Sequence, residues 1–328
     1  MDAKITKQRI SRMLSYDWLK IVGLIVAAIV VWSIVFTTTA TRVMPTQQMT
    51  RFSYHCNTIL SESYYNRQDG LLKDGLFSYE VLELHTYDLA VQKDMAQMMM
   101  QTRISTDEGD LLFVPNAPDV ELKVTEDGVT SYSRTYLESV VSLYPYNFFD
   151  VEEYLQGMDA FLDEQYGGNH ETGTLDESKV KQAFLDRVKA KKDKRFKTEK
   201  QKQDGAEQEV ARIRKYKTAY DELMGYLDAG VVALQYVEVK NPDGTVELNE
   251  ATGQPARAGK FALNLCPDVS KMGKLREWYS YKDETAENPV VTSQNMCVLF
   301  MDMQDVDNTF EYESLVYVTH VIKNSYTA

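Results

Sequence analysis

The sequence predicts an α/β domain behind one N-terminal transmembrane helix, with a basic helical insert projecting from it. Three observations carry that reading: an uncharged run at Ile21–Phe36, alternating strand-like and helix-like segments over 76–115, and an abrupt change of composition over 179–217. The boundaries that follow are a cytoplasmic tail at 1–18, a membrane helix at 19–41 and an extracytoplasmic α/β domain at 42–328 that contains an insert over about 177–228.

The run at 21–36 reads IVGLIVAAIVVWSIVF, and Trp18, Leu19 and the threonines up to Thr41 lengthen it once Lys20 carries its ammonium back to an interface. At about 1.5 Å per residue, a helix over 19–41 covers the roughly 30 Å of a bilayer core. Trp18, Ile21, Leu24, Ile29, Trp32 and Phe36 are the side chains expected to meet membrane lipid. Lys4, Lys7, Arg9, Arg12 and Lys20 precede the run, whereas only Arg42 and Arg51 follow it closely. That bias puts the N-terminus in the cytoplasm and the remainder outside, in a bacterial cell envelope. A cleaved signal peptide is the competing reading, with Thr38-Thr39-Ala40 as its cleavage site. The long basic region and an apolar run exceeding the usual ~7–15 residues favour the uncleaved anchor.

Hydrophobic residues make up 44% of the chain, which argues for a folded domain with a real core. Five cations and two anions among the first 41 residues leave −16 of the formal −13 on the rest. An acidic exterior speaks against nucleic acid as a partner. Cys56, Cys266 and Cys297 are too few and odd in number for a disulfide framework. Buried free thiols and a single Cys266–Cys297 bridge both remain open.

Taken in order, Met49–Tyr65 shows helical spacing at Phe52, Ile59 and Leu60, closed by a polar loop ending at Gly70. Leu76–Leu84 alternates in part as a strand does, Asp88 can cap a helix over Leu89–Met100, and Asp110–Pro115 is a buried strand. These three make a βαβ unit with parallel strands. Pro118–Tyr132 reads as a hairpin turning at Glu126-Asp127-Gly128, and Asp150 caps a helix over Val151–Glu164. Gly167–Gly173 is a surface loop.

Residues 179–217 then hold 15 lysines and arginines against 6 acids. Val180, Phe184 and Val188, and later Val210, Ile213, Tyr216, Tyr220, Leu223 and Leu227, mark apolar stripes. The spacing predicts two helices bent near Asp204-Gly205, or one long helix. Val231–Val239 and Thr245–Leu248 form a hairpin about Asn241–Gly244, and Lys260–Leu265 and Ser293–Phe300 are strands with a helix at Ser270–Trp278 between them. Thr309–Lys323 is compatible with an edge strand or a helix.

The βαβ unit with its Glu108-Gly109-Asp110 turn into Leu111–Val114, echoed by the 260–300 segments, resembles the extracytoplasmic solute-binding proteins of bacterial ABC importers. The resemblance implies a solute-binding-protein-like α/β domain that binds rather than catalyses. The chain departs from that family in its uncleaved anchor, its shortness for two lobes and its basic insert.

Motifs for chemistry are absent: there is no phosphate-binding glycine loop, no nucleophile elbow and no H-E-x-x-H. No catalytic residue, cofactor or metal is therefore expected. His55, His85, His170 and His320 are widely spaced, and the Asp302, Asp305, Asp307 cluster has Phe310 and Val316 where a calcium loop needs Gly and Glu. Among tyrosines and phenylalanines over 132–149, a ligand cleft is one reading and core packing the other. Tyr144, Tyr146 and Asn116 are the candidate ligand contacts for a small molecule. The rival functional class is an assembly protein of the envelope that docks a protein partner through 179–227.

Overall fold

A computed structural model of the chain describes residues 7–39, 43, 47–58, 70–90, 95–106, 108–285, 287–302 and 312–327. It divides into two units, Met1–Met44 and Pro45–Ala328. The first contains α1 (Lys7–Thr39), within which Trp18–Thr37 is long and apolar enough to cross a membrane. Trp18, Leu24, Ile29, Trp32 and Phe36 are exposed along it and Ile21 is half-buried. Thr37 returns its hydroxyl to the carbonyls of Ser33 (2.6 Å) and Ile34 (3.1 Å), so this polar group is satisfied inside the helix.

The second unit is mixed α/β. Its elements are β1 (Gln48–Ser53), β2 (Asn57–Thr58), β3 (Glu83–Asp88), α2 (Ala96–Ile104), β4 (Leu111–Pro115), β5 (Lys123–Glu126), β6 (Val129–Tyr132), α3 (Tyr136–Leu143), α4 (Val151–Gln165), α5 (Glu177–Lys191), α6 (Glu199–Asp228), β7 (Ala233–Glu238), β8 (Ala258–Asn264), β9 (Tyr279–Asp283), β10 (Val290–Thr292), β11 (Met296–Phe300) and α7 (Glu313–Ser325). Six strands form one sheet in the order β3-β1-β4-β11-β8-β7. β1 is parallel to both β3 and β4, whereas β11, β8 and β7 join antiparallel. β10, β9 and β2 make a second, smaller sheet.

Helices cover both faces of the main sheet. On one, Phe113 of β4 stacks on Tyr279 at 3.7 Å and meets Tyr317 of α7 edge-on, while Phe300 of β11 stacks on Tyr154 of α4 at 4.8 Å. On the other, Phe52 and Tyr87 stack at 5.6 Å with Arg103 of α2 above the Tyr87 ring, and α3 packs against β4 and β7. Burial on both faces explains why Leu111–Pro115 and Met296–Phe300 carry apolar runs without alternation.

Several sequence expectations change here. The helix expected over Met49–Tyr65 is instead β1 and β2 as far as residue 58, with Ile59 and Leu60 lying outside the described residues. β1 is a central strand held from both sides by partners some 35 to 60 residues away, as in Arg51 against Thr86 and Leu111, and local spacing carries no record of those partners. The strand expected at 76–84 falls later, at β3, because Ser78–Leu82 turns to enter the sheet where Leu82 N–H meets the Gln47 carbonyl. Asp88 ends β3 and accepts from Ala90 N–H and Thr58, while α2 begins at Ala96. β7 pairs with β8 rather than with 245–248, which makes only isolated bridges. The helix expected at Ser270–Trp278 is a single tight turn at Leu275–Glu277, and the ambiguous C-terminal segment is α7. The three cysteines are free and buried, so no Cys266–Cys297 bridge forms.

The insert does not project as expected. Val210, Ile213, Tyr216, Ala219, Tyr220 and Leu223 of α6 lie in the main core, and Phe184 and Val188 of α5 pack with Ala206, Tyr79 and Phe196. The break falls at 192–198 rather than at Asp204-Gly205. Lys192 ends α5 in the left-handed region at φ 51°, and Thr198 restarts the chain with a capping box to Gln201.

Candidate functional site

The strand order creates a switch point. After β1 the chain moves to one side to form β3, then crosses to the other side to form β4, so the connections leave the carboxyl ends of β1 and β4 in opposite directions. In open α/β sheets a crevice opens there.

His55 and Asn116 occupy that place. Beyond β1 comes Tyr54-His55-Cys56, with His55 held at φ 52°. Its ring stacks on Tyr136 at 4.2 Å and meets Tyr54 edge-on at 4.5 Å. Tyr136 is brought there because it opens α3, which Thr135 and Glu138 cap reciprocally. Beyond β4, Asn116 donates its backbone N–H to the Asn295 carbonyl at 2.8 Å, and its carboxamide makes no hydrogen bond among the described residues. Asp119, buried, accepts from the Ser139 hydroxyl at 2.6 Å and from Glu121 N–H at 3.2 Å.

Electrostatics keep the phenols protonated. Burial pushes Tyr54 up to about 12, with Tyr144 and the carboxylates of Asp119 and Glu121 adding to the shift. Burial likewise raises Tyr136 to about 12, with a counteracting hydrogen bond from Val120 N–H and reinforcement by Asp119, Glu284 and Glu121. The switch point thus brings together aromatic faces, phenol groups and a carboxamide, a set suited to binding. Cys56 lies beside it, but burial raises its thiol far above the ordinary range and its Sγ donates to the Phe113 carbonyl at 3.3 Å, so it is no nucleophile near neutral pH.

The three candidate contacts do not converge. Asn116 stands at the crevice. Tyr144 is buried, within electrostatic reach of Tyr54, with its hydroxyl donated to the Gln97 carbonyl at 3.2 Å. Tyr146 is 71% exposed and lies under Arg257, so it packs elsewhere. Sequence reasoning had Tyr136 among the aromatics that could line a cleft but missed Tyr54 and His55, since only the strand order brings the end of β1 beside that of β4. His170 is a satisfied histidine, buried with Nδ1 at 2.8 Å from Asp163. No three metal-capable side chains converge among the described residues, and Asp305 and Asp307 lie outside them.

A second polar locus joins α5 and α6 to the turn at 77–82. Tyr79 donates to Glu209 at 2.8 Å and accepts from Arg187 at 2.6 Å; Arg195 pairs with Glu80 at 2.9 Å, and Arg212 with Glu209 at 2.5 Å. Beside this network lies a cavity of about 470 Å³ lined by Leu72, Phe77, Val81, Leu82, Arg212 and Lys215, among others. The basic composition of the insert was the visible signal, but nothing local shows that part of its charge turns inward.

Compared with protein-family models, curated proteins and solved structures, the chain matches none, and the site has to be read from its own residues.

Proposed function

We propose that this chain is a single-pass membrane protein, with its N-terminus cytoplasmic and the unit from residue 45 onward extracytoplasmic, that binds a small solute without catalysing a reaction. The observation that carries the binding role is the switch point, where the His55–Tyr136 stack and an unengaged Asn116 carboxamide stand beyond the ends of β1 and β4, the place at which open α/β sheets form a ligand crevice. The apolar α1 and its upstream cations support the anchored topology. The resemblance to solute-binding proteins supports a small solute as the ligand. The rival role is docking an assembly partner through the basic face of 179–227, where Lys189, Lys194, Lys197 and Lys200 are exposed while Phe184, Val188, Val210 and Ile213 are occupied internally.

A thermal-shift screen of a solute panel against the full chain in lipid nanodiscs tests this. At least one solute should raise the melting temperature, and Asn116→Ala should weaken it about tenfold while leaving the unliganded melting temperature unchanged, since the lost contact is with ligand alone. If no solute stabilises the protein, or if Asn116→Ala binds as wild type does, the crevice is not the site.

A further inference from the structure

The cavity between the 72–82 segment and α6 is built unlike the crevice. Leu72, Phe77, Val81, Leu82 and Ala211 give it apolar walls, and Leu82 is still 42% exposed. Into this lining comes Lys215, half-buried, from α6. Its ammonium donates to the Gly75 carbonyl at 2.6 Å and the Phe77 carbonyl at 3.4 Å. An ammonium has three donors, and no carboxylate among the described residues lies within ion-pair distance of this one. The nearby acids are already engaged: Glu313 accepts from Tyr216 at 3.1 Å and from Ser78 N–H at 3.3 Å, and Glu209 is held by Arg212, Arg187 and Tyr79. Burial lowers the Lys215 pKa, and the field of Glu313 only partly opposes it. The charge is therefore kept there at a desolvation cost that its two carbonyl partners leave uncancelled.

We propose that this cavity binds a single-chain amphiphilic carboxylate, with its head on the Lys215 ammonium and its chain along Leu72, Phe77, Val81 and Leu82. A volume of about 470 Å³ falls within the range of small-molecule pockets, about 300–1,000 Å³. A neutral amphiphile would fill the walls but leave the cation without its counter-charge, and a cationic one would be repelled. No bond is made or broken.

The test is isothermal titration of the full chain in lipid nanodiscs, with empty nanodiscs subtracted, using octanoate, octanol and octylamine. Octanoate should bind at least about tenfold tighter than octanol, and octylamine should not bind. Lys215→Met should lose that preference while Lys215→Arg keeps it, and Ala211→Trp, which enters the cavity from an exposed helix position, should abolish both. Asn116→Ala should leave octanoate binding unchanged, so failure here is separable from failure of the crevice. Equal affinity for octanoate and octanol, no effect of Lys215→Met in a variant that melts as wild type does, or no octanoate binding at all would each overturn the proposal. Should Lys215→Met not fold, the octanoate-to-octanol ratio in wild type and the Ala211→Trp block decide the matter.

Discussion

Asp110 is a carboxylic acid held in an environment that its type does not imply. It immediately precedes β4, and although the residue as a whole is half-buried, its carboxyl group is enclosed and accepts from Thr50 N–H at 2.6 Å. Burial lifts its pKa from 3.8 to about 7, against the lowering pull of Thr50 N–H and of Arg51. A carboxyl whose folded pKa lies above its unfolded value binds a proton more readily in the folded state. Its ionisation therefore costs stability above about pH 7, and that cost fades as the pH falls from about 7 toward 3.8. Asp110→Asn, which keeps an oxygen for Thr50, should be at least as stable as wild type at pH 8 and lose the gain that wild type shows on going to pH 5. Urea unfolding at the two pH values checks this, and an unchanged pH slope in the variant would count against it. The Glu108-Gly109-Asp110 turn was visible in the sequence, but its enclosure was not, because the enclosing β1 is some 60 residues away.

At the scale of elements, α5 and α6 show how composition misleads. Their lysines suggest solvated helices, and Lys189, Lys194, Lys197 and Lys200 are indeed exposed. Yet Phe184 and Phe196 meet edge-on at 5.0 Å over Gly205, and a Cβ there would lie 2.5 Å from the Phe196 ring and 2.6 Å from Phe184. The glycine is thus required by close packing inside α6 rather than by a bend. Gly205→Ala gains about 1 kcal/mol of helix propensity and incurs about 1–3 kcal/mol of overpacking. The expected net effect is a lower urea midpoint; a raised midpoint would mean that the ring pair yields freely. The hairpin at β5 and β6 was legible by contrast, since Asp127 and Gly128 at φ 51° and 77° realise a turn that two adjacent residues specify alone. β7 was misassigned a partner because the Asn241–Gly244 turn is real, but the longer excursion to β8 pairs a buried strand and wins.

For the whole molecule, the proposed topology makes a prediction that the cysteines render clean. Cys56, Cys266 and Cys297 are buried, so a membrane-impermeant maleimide should label the native chain weakly. Lys194→Cys adds one thiol in the exposed turn between α5 and α6. In intact cells that variant should label strongly, and the chain should stay with the membrane after alkaline extraction; labelling only after lysis would reverse the orientation. What the sequence determined by itself were the features set by neighbours along the chain: the apolar length of α1, the cap at Asp150, the tight hairpin, and the apolar runs that became β4 and β11. Only the tertiary structure decided that β1 is a strand, that the basic helices turn their apolar stripes inward, and that His55 stacks on Tyr136 at the switch point beyond β1 and β4. The physical reason is one of range. Caps, turns and helix length depend on contacts within a few residues, whereas strand order, the desolvation of charges and the meeting of site residues depend on pairings across 30 residues or more, which no local pattern encodes.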